Sequence, residues 1–179
     1  MELTNYGITL RRLTEDKIEL VRNWRNDPKI SSTMFYQEYI TPEMQKAWFD
    51  KIKDKDLYFI IEYNGEEIGV INVKDIDTIQ KTGETGVFIY SDKYLNTDVA
   101  YRSHLLFFDY IYENLNFINT YSHIRTDNPR AIRFIEFMGA VCDLTHSNTQ
   151  SKMYVLTKDS YLYNTHRQRF IKKWNTLKK

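Results

Sequence analysis

The order of elements between residues 84 and 140 constrains this chain more than any other feature. Apolar, β-branched and aromatic runs alternate there with polar turns, which is typical of strands and helices that follow one another. The predicted elements are a strand at Glu84–Tyr90, a turn at Ser91–Thr97, a helix at Asp98–Leu115, a strand at Phe117–Arg125 and a helix at Arg130–Met138 closed by Gly139. Because backbone N–H groups at a helix N-terminus attract anions, the turn after the first strand predicts a phosphate site.

The flanking residues add strands and helices without an internal repeat. The elements predicted there are a strand at Ile8–Leu13, helices at 14–26 and 42–52, an irregular segment at 29–40, a hairpin of 57–63 and 66–73 joined by Asn64-Gly65, a polar loop at 75–83, strands at 140–144 and 153–156, and a helix from Asp159. Met44, Ala47, Trp48 and Ile52 are the predicted buried stripe of the second helix. This order predicts an α+β fold, a single domain whose central mixed, mostly antiparallel twisted sheet is flanked by helices. Residues 1–157 would form its body and residues 158–179 a basic amphipathic C-terminal helix packed on it.

Composition excludes several classes of protein. The single cysteine, Cys142, cannot form an internal disulfide, and the four histidines show no ligand spacing, so no metal site is predicted. A formal charge of +1 argues against nucleic acid as a partner, although seven Lys or Arg and one acid occupy the chain from Lys158 onward. No apolar run approaches the roughly 18 residues of a membrane span, and no basic leader opens the chain. These observations predict a cytoplasmic protein without a membrane partner.

Two local patterns in this order resemble the GNAT superfamily of N-acetyltransferases. One is Asn128-Pro129-Arg130-Ala131, which leads into an amphipathic helix closed by Gly139-Ala140. The other is the strand Glu84–Phe88, followed by a turn and a long helix that ends at Tyr110–Leu115. The element order matches the family across residues 7–157. The resemblance implies transfer of an acetyl group from acetyl-CoA, as cosubstrate, to a primary amine.

A narrower likeness concerns the acceptor of that group. Trp24–Ile30, Tyr39–Glu43 and Gln45–Phe49 are similar to segments of acetyltransferases that act on nucleotide-linked amino sugars, such as the pseudaminic-acid pathway enzymes. The likeness implies a small-molecule amine as partner and an acceptor groove lined by Trp24, Arg25, Met34, Tyr36 and Tyr39. Ribosomal-protein alanine acetyltransferases share the layout, so a protein N-terminus is the alternative acceptor. Self-association as a homodimer is left open.

The resemblance also implies where the cosubstrate binds. The pantetheine arm would pair with the backbone of Phe88, Ile89 and Tyr90, and one amide there would hold the carbonyl oxygen of the thioester. Asn128 would contact the same arm while it caps the last helix. The diphosphate would lie in the turn before the long helix, formed by Leu95, Asn96, Thr97, Asp98, Val99 and Ala100.

That turn departs from the family pattern. Asn96 and Asp98 stand where the family has two glycines, which adopt positive φ and let the backbone approach a phosphate. Asn and Asp tolerate positive φ next best, so we expect the turn to keep its shape. An aspartate beside a diphosphate costs about 1–4 kcal/mol per close pair, which Arg102 would partly offset. The alternative to an enzyme is therefore a non-catalytic GNAT-fold binding protein with a degenerate CoA phosphate turn.

Acetyl transfer also requires a base for the amine and an acid for the leaving thiolate. Glu84 is the predicted base, because burial beside apolar neighbours favours the protonated form of a carboxylate. The tyrosine that serves as acid in many family members is replaced here by Ile135. Tyr90, Tyr94 and Tyr101 stay open as acids, with Tyr90 the predicted catalytic residue.

Overall fold

The strands of this protein form one mixed sheet. The computed structural model describes residues 1–177. The strands are β1 (Glu2–Asn5), β2 (Ile8–Arg12), β3 (Leu57–Tyr63), β4 (Glu66–Asp77), β5 (Thr82–Ile89), β6 (Asn119–Arg125), β7 (Val141–Asp143) and β8 (Ser151–Thr157). Their order is β1-β2-β3-β4-β5-β6-β8-β7. The pairs β1/β2, β2/β3, β3/β4, β6/β8 and β7/β8 are antiparallel and β5/β6 is parallel, which confirms the predicted fold class.

The helices begin at the caps that the sequence provides. They are α1 (Ile18–Asn26), α2 (Pro28–Ser31), α3 (Pro42–Ile52), α4 (Val99–Asp109), α5 (Pro129–Phe137), α6 (Lys158–Leu162) and α7 (Thr165–Leu177). Thr41 accepts a hydrogen bond from the backbone of Met44 at the start of α3, and Asn128 accepts one from Ala131 at the start of α5. Gly139 closes α5 with a φ of +100°, the left-handed conformation typical of a helix C-terminus.

The structure contains a hairpin strand that the sequence analysis missed. β1 pairs with β2 through Tyr6-Gly7, and Asn5 stands opposite Ile8. Tyr6 and Gly7 have φ values of +56° and +70°, and a tight two-residue hairpin turn requires positive φ at both central positions. A strand of four residues is too short for its alternation of buried and exposed side chains to be recognised. Gly7 was therefore the residue in the sequence that could have indicated a hairpin turn here.

The predicted polar loop at 75–83 is wrong over most of its length. β4 continues to Asp77 and β5 begins at Thr82. Asp75 has a φ of +51°, and its backbone N–H donates to the carboxylate of buried Asp56 at 3.2 Å. This tertiary hydrogen bond supports a polar strand extension that local sequence does not favour.

Residues 1–76 and 85–107 form one compact unit. Its core packs α1 and α3 on β3 and β4, with Val21, Trp24, Phe49, Ile60 and Val70 among the buried side chains. The stripe predicted for α3 was partly wrong. Met44 and Ala47 are exposed, whereas Ile52 is buried together with Phe49 and Gln45. Gln45 can be buried because its amide donates to the carbonyl of Ile18 at 3.0 Å.

Residues 77–84 and 108–177 form a second compact unit. One face of β6 and β8 is buried through Thr120, Ser122, Tyr154 and Leu156. The hydroxyl of buried Tyr112 donates to the carbonyl of Leu156 at 2.6 Å. This face therefore forms the core of the unit.

The Asp109 carboxylate of α4 contacts both C-terminal helices, α6 and α7. Asp109 accepts hydrogen bonds from the Tyr161 hydroxyl at 2.6 Å and from the Arg167 guanidinium at 2.8 Å. Burial raises the pKa of the Tyr161 phenol well above its usual value, so the phenol stays protonated as a donor. The last two residues of the predicted C-terminal helix, Lys178 and Lys179, lie outside the described residues, and the domain boundary at 157/158 stays a prediction.

Candidate active site

The end of β5 carries a β-bulge. The backbone amides of Tyr90 and Ser91 both donate to the carbonyl of Ile68 on β4, at 2.7 and 3.3 Å. The Phe88 carbonyl also points at β4, since a Cβ placed on Gly69 would lie 2.2 Å from it. Because successive backbone groups of a strand point to opposite edges, the N–H of Ile89 points away from β4. This geometry makes Ile89 the candidate amide for the thioester oxygen.

Tyr90 is fixed by contacts from α1 and α2. Its ring stacks on Trp24 with the ring centroids 5.3 Å apart, and its hydroxyl donates to Asp27 at 3.2 Å. The ammonium of Lys29 lies 3.9 Å from the centre of the same ring and 3.2 Å from the Asp92 carboxylate. Asp27 and Lys29 were not predicted as site residues. Asp27 lay in the predicted helix stop and Lys29 at the start of the irregular segment 29–40, so their place close to Trp24 was the signal available for both.

An open cleft of about 550 Å³ lies beside Tyr90. We call it the acceptor cleft; its lining residues are Leu20, Trp24, Lys29, Glu66, Glu67, Tyr90, Ser91 and Asp92. Each of its three carboxylates contacts an ammonium group, at distances of 2.7–3.2 Å: Glu66 with Lys93, Glu67 with Lys17 and Asp92 with Lys29. The cleft is therefore rich in charge, and that charge is paired.

The predicted phosphate turn does not have the glycine-like backbone that we expected. Among residues 1–177, neither Asn96 nor Asp98 adopts positive φ. The turn is held by side chains instead, because the Thr97 hydroxyl donates to the Tyr94 carbonyl at 2.9 Å and accepts from the backbone N–H of Val99 at 3.3 Å. Without a left-handed residue, the turn does not reproduce the family's glycine geometry. Leu95 and Ala100 flank it.

Arg102, which we expected to offset part of the charge of Asp98 beside a diphosphate, forms an ion pair with it. Two guanidinium nitrogens of Arg102 lie 3.0 and 3.1 Å from one Asp98 oxygen. Arg102 also donates to the carbonyl of Tyr6 at 3.1 Å and lies 4.8 Å from the centre of the Tyr63 ring. The Asp98 carbonyl accepts the amide of Arg102, so Asp98 is in addition the N-cap position of α4.

The irregular segment after α2 is bound to α1 by polar side chains. Arg22 donates to the Tyr39 hydroxyl at 3.2 Å, and Asn26 exchanges two hydrogen bonds with the backbone of Ile40, at 2.8 and 2.9 Å. Tyr36 and Tyr39 are exposed, and Met34 is half-buried. The predicted groove residues thus lie along one helix and the segment that it holds.

Arg25 differs from the neighbouring cations Arg22 and Lys29, each of which pairs with a carboxylate. It is half-buried, it donates to the Tyr36 carbonyl at 3.4 Å, and its Nε atom is buried without a hydrogen-bond partner. Burial lowers the pKa of its guanidinium, and within residues 1–177 no carboxylate lies within 4 Å of it. The charge of Arg25 is therefore left without a counter-ion.

The second unit holds Glu84 and Asn128. Glu84 lies at the parallel pairing of β5 with β6, opposite Tyr121, and its carboxylate is 3.5 Å from Nδ1 of His123. The Asn128 side chain caps α5 by accepting the amide of Ala131 at 3.1 Å. His123 was missed because four scattered histidines offered no spacing signal.

A family comparison decides the class of the protein. The model of the acetyltransferase (GNAT) domain matches residues 8–141. The chain is a GNAT acetyltransferase. It is accordingly an acyl-CoA-dependent N-acetyltransferase that uses acetyl-CoA as cosubstrate, and the catalytic prediction is confirmed over the non-catalytic alternative.

Known proteins similar to this GNAT acetyltransferase include polyamine-modifying enzymes. The spermidine N(1)-acetyltransferase of Vibrio cholerae serotype O1 is 25% identical over 143 residues, which cover 76% of this chain and 80% of that protein. A crystal structure of spermidine N-acetyltransferase from Vibrio cholerae with CoA and spermine has a TM-score of 0.77 at 22% identity, covering 88% of this chain and 99% of that one. A dodecameric structure of that enzyme has a TM-score of 0.71 at 20% identity, with coverage of 90% and 99%. At these identities the structural likeness supports the fold.

Among the described residues of this acetyltransferase, no helix is both long and apolar enough to cross a bilayer. No group of three or more His, Cys, Asp or Glu side chains in this part of the chain is arranged to hold a metal ion. The cytoplasmic location stays a prediction.

Proposed function

We propose that this enzyme acetylates the amine of a nucleotide-linked amino sugar. The observation that carries the proposal is the unpaired, half-buried charge of Arg25 beside Tyr36. A desolvated cation without a counter-ion is destabilising, and an anionic acceptor would supply the missing partner. A nucleoside diphosphate provides such an anion, and a guanidinium binds phosphate with two parallel hydrogen bonds.

Aromatic side chains near Arg25 would bind the base and the sugar ring of a nucleotide-linked amino sugar. Tyr36 and Tyr39 are exposed, and Trp24 stacks on Tyr90 at the acceptor cleft. Bases and sugar rings pack on aromatic faces, and a cation such as Lys29 beside them adds attraction for phosphate. The acceptor's amine would then approach the thioester from the side of α1.

A polyamine is the second candidate. The similarity to spermidine acetyltransferases and the three carboxylates of the acceptor cleft favour it. Each of those carboxylates already contacts a lysine, so a polycation would have to displace three ammonium groups. We therefore rank the anionic acceptor first. Self-association remains part of the proposal, with the dodecameric relative as support.

Release of free CoA thiol tests the choice of acceptor. A nucleoside-diphosphate amino sugar, spermidine and a peptide with an N-terminal alanine would each be incubated with enzyme and acetyl-CoA. We expect turnover with the amino sugar, whereas turnover confined to spermidine or to the peptide would contradict the proposal.

An Arg25→Gln variant tests the residue that carries the argument. A hydrogen-bonded pair with a charged group contributes about 1.5–3 kcal/mol, so KM for the sugar should rise roughly 10- to 150-fold while KM for acetyl-CoA stays unchanged. Arg11→Gln is the control, because it also removes an arginine, but one that already pairs with the Glu62 carboxylate at 2.7 Å. If spermidine were the acceptor, loss of a positive charge would leave its KM unchanged or lower it.

A further inference from the structure

The acceptor cleft contains an amine that belongs to the protein itself. Among the side chains that line this cleft, that of Lys29 ends in a primary amine, which is the kind of group that an N-acetyltransferase modifies. Lys29 is the second residue of α2, and its side chain is 34% exposed. The amine is therefore at the surface of the cleft, where an acceptor molecule would also place its own amine.

Two contacts place the Lys29 amine beside the residues that follow Ile89. Its nitrogen lies 3.9 Å from the centre of the Tyr90 ring and 3.2 Å from the Asp92 carboxylate. Tyr90 directly follows Ile89, the candidate amide for the thioester oxygen, and all of these residues belong to the unit formed by residues 1–76 and 85–107. The amine thus lies next to the segment whose backbone is expected to bind the thioester.

The same two contacts leave the Lys29 side chain able to move. The side chain of Asp92 is 69% exposed, and an ion pair with an exposed carboxylate contributes little stability because water screens it. A single contact between an ammonium group and an aromatic ring at an exposed site is also weak. Lysine carries its nitrogen on a flexible four-carbon stem. The nitrogen can therefore leave Asp92 and Tyr90 and approach a thioester held at Ile89.

The lysines nearest to the cleft carboxylates differ from Lys29. The ammonium groups of Lys17 and Lys93 contact Glu67 and Glu66 at 2.7 and 2.8 Å, and neither lysine is among the described residues that line the cleft. Hydrogen bonds with these carboxylates raise the pKa of both lysines, so their nitrogens keep the proton that a nucleophile must lose. Lys17 and Lys93 are therefore internal references for the reactivity of Lys29.

We propose that the enzyme acetylates Lys29 of its own chain when acetyl-CoA is bound and the acceptor cleft is empty. The Lys29 ammonium first loses one proton to the water of the open cleft. Its neutral nitrogen then attacks the carbonyl carbon of the thioester and forms the C–N bond, while the Ile89 amide holds the carbonyl oxygen. The C–S bond breaks, and a second proton passes from the nitrogen to the CoA thiolate. Acetyl-CoA and the lysine become N-acetyllysine and free CoA.

This modification would change the charge of the acceptor cleft. Acetylation removes the positive charge of a lysine, so the ion pair with Asp92 and the contact of the cation with the Tyr90 ring are both lost. The acetamide group would remain beside Tyr90 and narrow the space for an acceptor. The proposal requires the acetyl transfer of the family and the acceptor cleft, and it holds for any acceptor, so it goes beyond the proposed function.

Peptide mapping by mass spectrometry tests the proposal. The intact chain is incubated with acetyl-CoA that carries an isotope-labelled acetyl group, in the absence of any acceptor, and the label on each lysine is followed with time. We expect Lys29 to be labelled at least about 10-fold faster than Lys17 and Lys93, at a rate per molecule that is independent of enzyme concentration, because an intramolecular reaction benefits from proximity. Equal labelling of the three lysines, or a rate per molecule that falls on dilution, would overturn the proposal.

A variant and a competing amine serve as controls. Lys29→Arg keeps the positive charge but removes the amine, so the label should disappear from position 29 without moving to Lys17 or Lys93. A simple aliphatic amine at high concentration shows that the preparation transfers acetyl groups, and it should slow the labelling of Lys29 because it occupies the same cleft. Labelling that the amine does not slow would contradict the proposal. Failure of the amino sugar to react contradicts the proposed function alone, whereas an unlabelled Lys29 in a preparation that acetylates the simple amine contradicts only self-acetylation.

Discussion

Replacing Asp98 by asparagine should tighten acetyl-CoA binding. Asparagine keeps the N-cap position of α4 and removes one negative charge from the turn expected to hold the diphosphate. Asp98 is 60% exposed, so its interaction with a phosphate is screened by water. At about 5 Å, two unit charges interact by about 0.8 kcal/mol at the dielectric of water and by about 1.7 kcal/mol at an effective value of roughly 40. The dissociation constant should therefore fall about 4- to 20-fold.

The ion pair of Asp98 with Arg102 gives a second reason to expect tighter acetyl-CoA binding in Asp98→Asn. In the wild type its guanidinium is engaged by Asp98, and the substitution leaves that positive charge without its carboxylate partner. Removing Arg102 instead, as Arg102→Gln, leaves Asp98 uncompensated and should weaken binding by a similar factor. The two variants thus move the affinity in opposite directions.

Isothermal titration calorimetry with acetyl-CoA at low and at high salt measures both effects. The gain in Asp98→Asn should shrink at high salt, because exposed charges are screened over a few ångströms there. Asp54→Asn, which removes an exposed carboxylate after α3, is the control and should leave the affinity unchanged. An unchanged or weaker affinity for Asp98→Asn at low salt would refute the electrostatic reasoning and place the diphosphate elsewhere.

Two further predictions concern stability. A Gly69→Ala substitution should lower Tm by several degrees, since its Cβ would meet the backbone carbonyl of Phe88 at 2.2 Å and overpacking costs about 1–3 kcal/mol. Gly86→Ala, whose Cβ would meet only a flexible side chain at 3.0 Å, is its control, and equal melting shifts for the two would contradict the argument. Asn128→Ala should cost about 1 kcal/mol through loss of the α5 cap, measured by urea unfolding, and Asn128→Asp should restore most of that stability if the cap is its structural role.

Local sequence predicted most of the elements, because the signals that start and stop them involve residues close in the chain. The Asn64-Gly65 turn has positive φ at both positions, and the caps at Thr41 and Asn128 accept the expected backbone amides. The errors arose where contacts with residues distant in the sequence determine the local structure. β4 extends to Asp77 with support from Asp56, and β1 depends on its pairing with β2.

In the candidate site, too, some features were predicted from local sequence and others depend on contacts between distant residues. The sequence indicated the family and the opposite charges of Asp98 and Arg102 one helical turn apart, whereas their ion pair was seen only in the structure.

The sequence by itself therefore determined the family of this chain and showed that the turn predicted to hold the diphosphate departs from the family pattern, because both signals lie in contiguous residues. Only the tertiary structure decided which charges are compensated. Asp27 reaches Tyr90 across 63 positions of the chain, and Arg25 finds no carboxylate among the described residues. Such contacts depend on how α1, α2 and β5 pack, and packing is a property of the folded chain that no local pattern encodes.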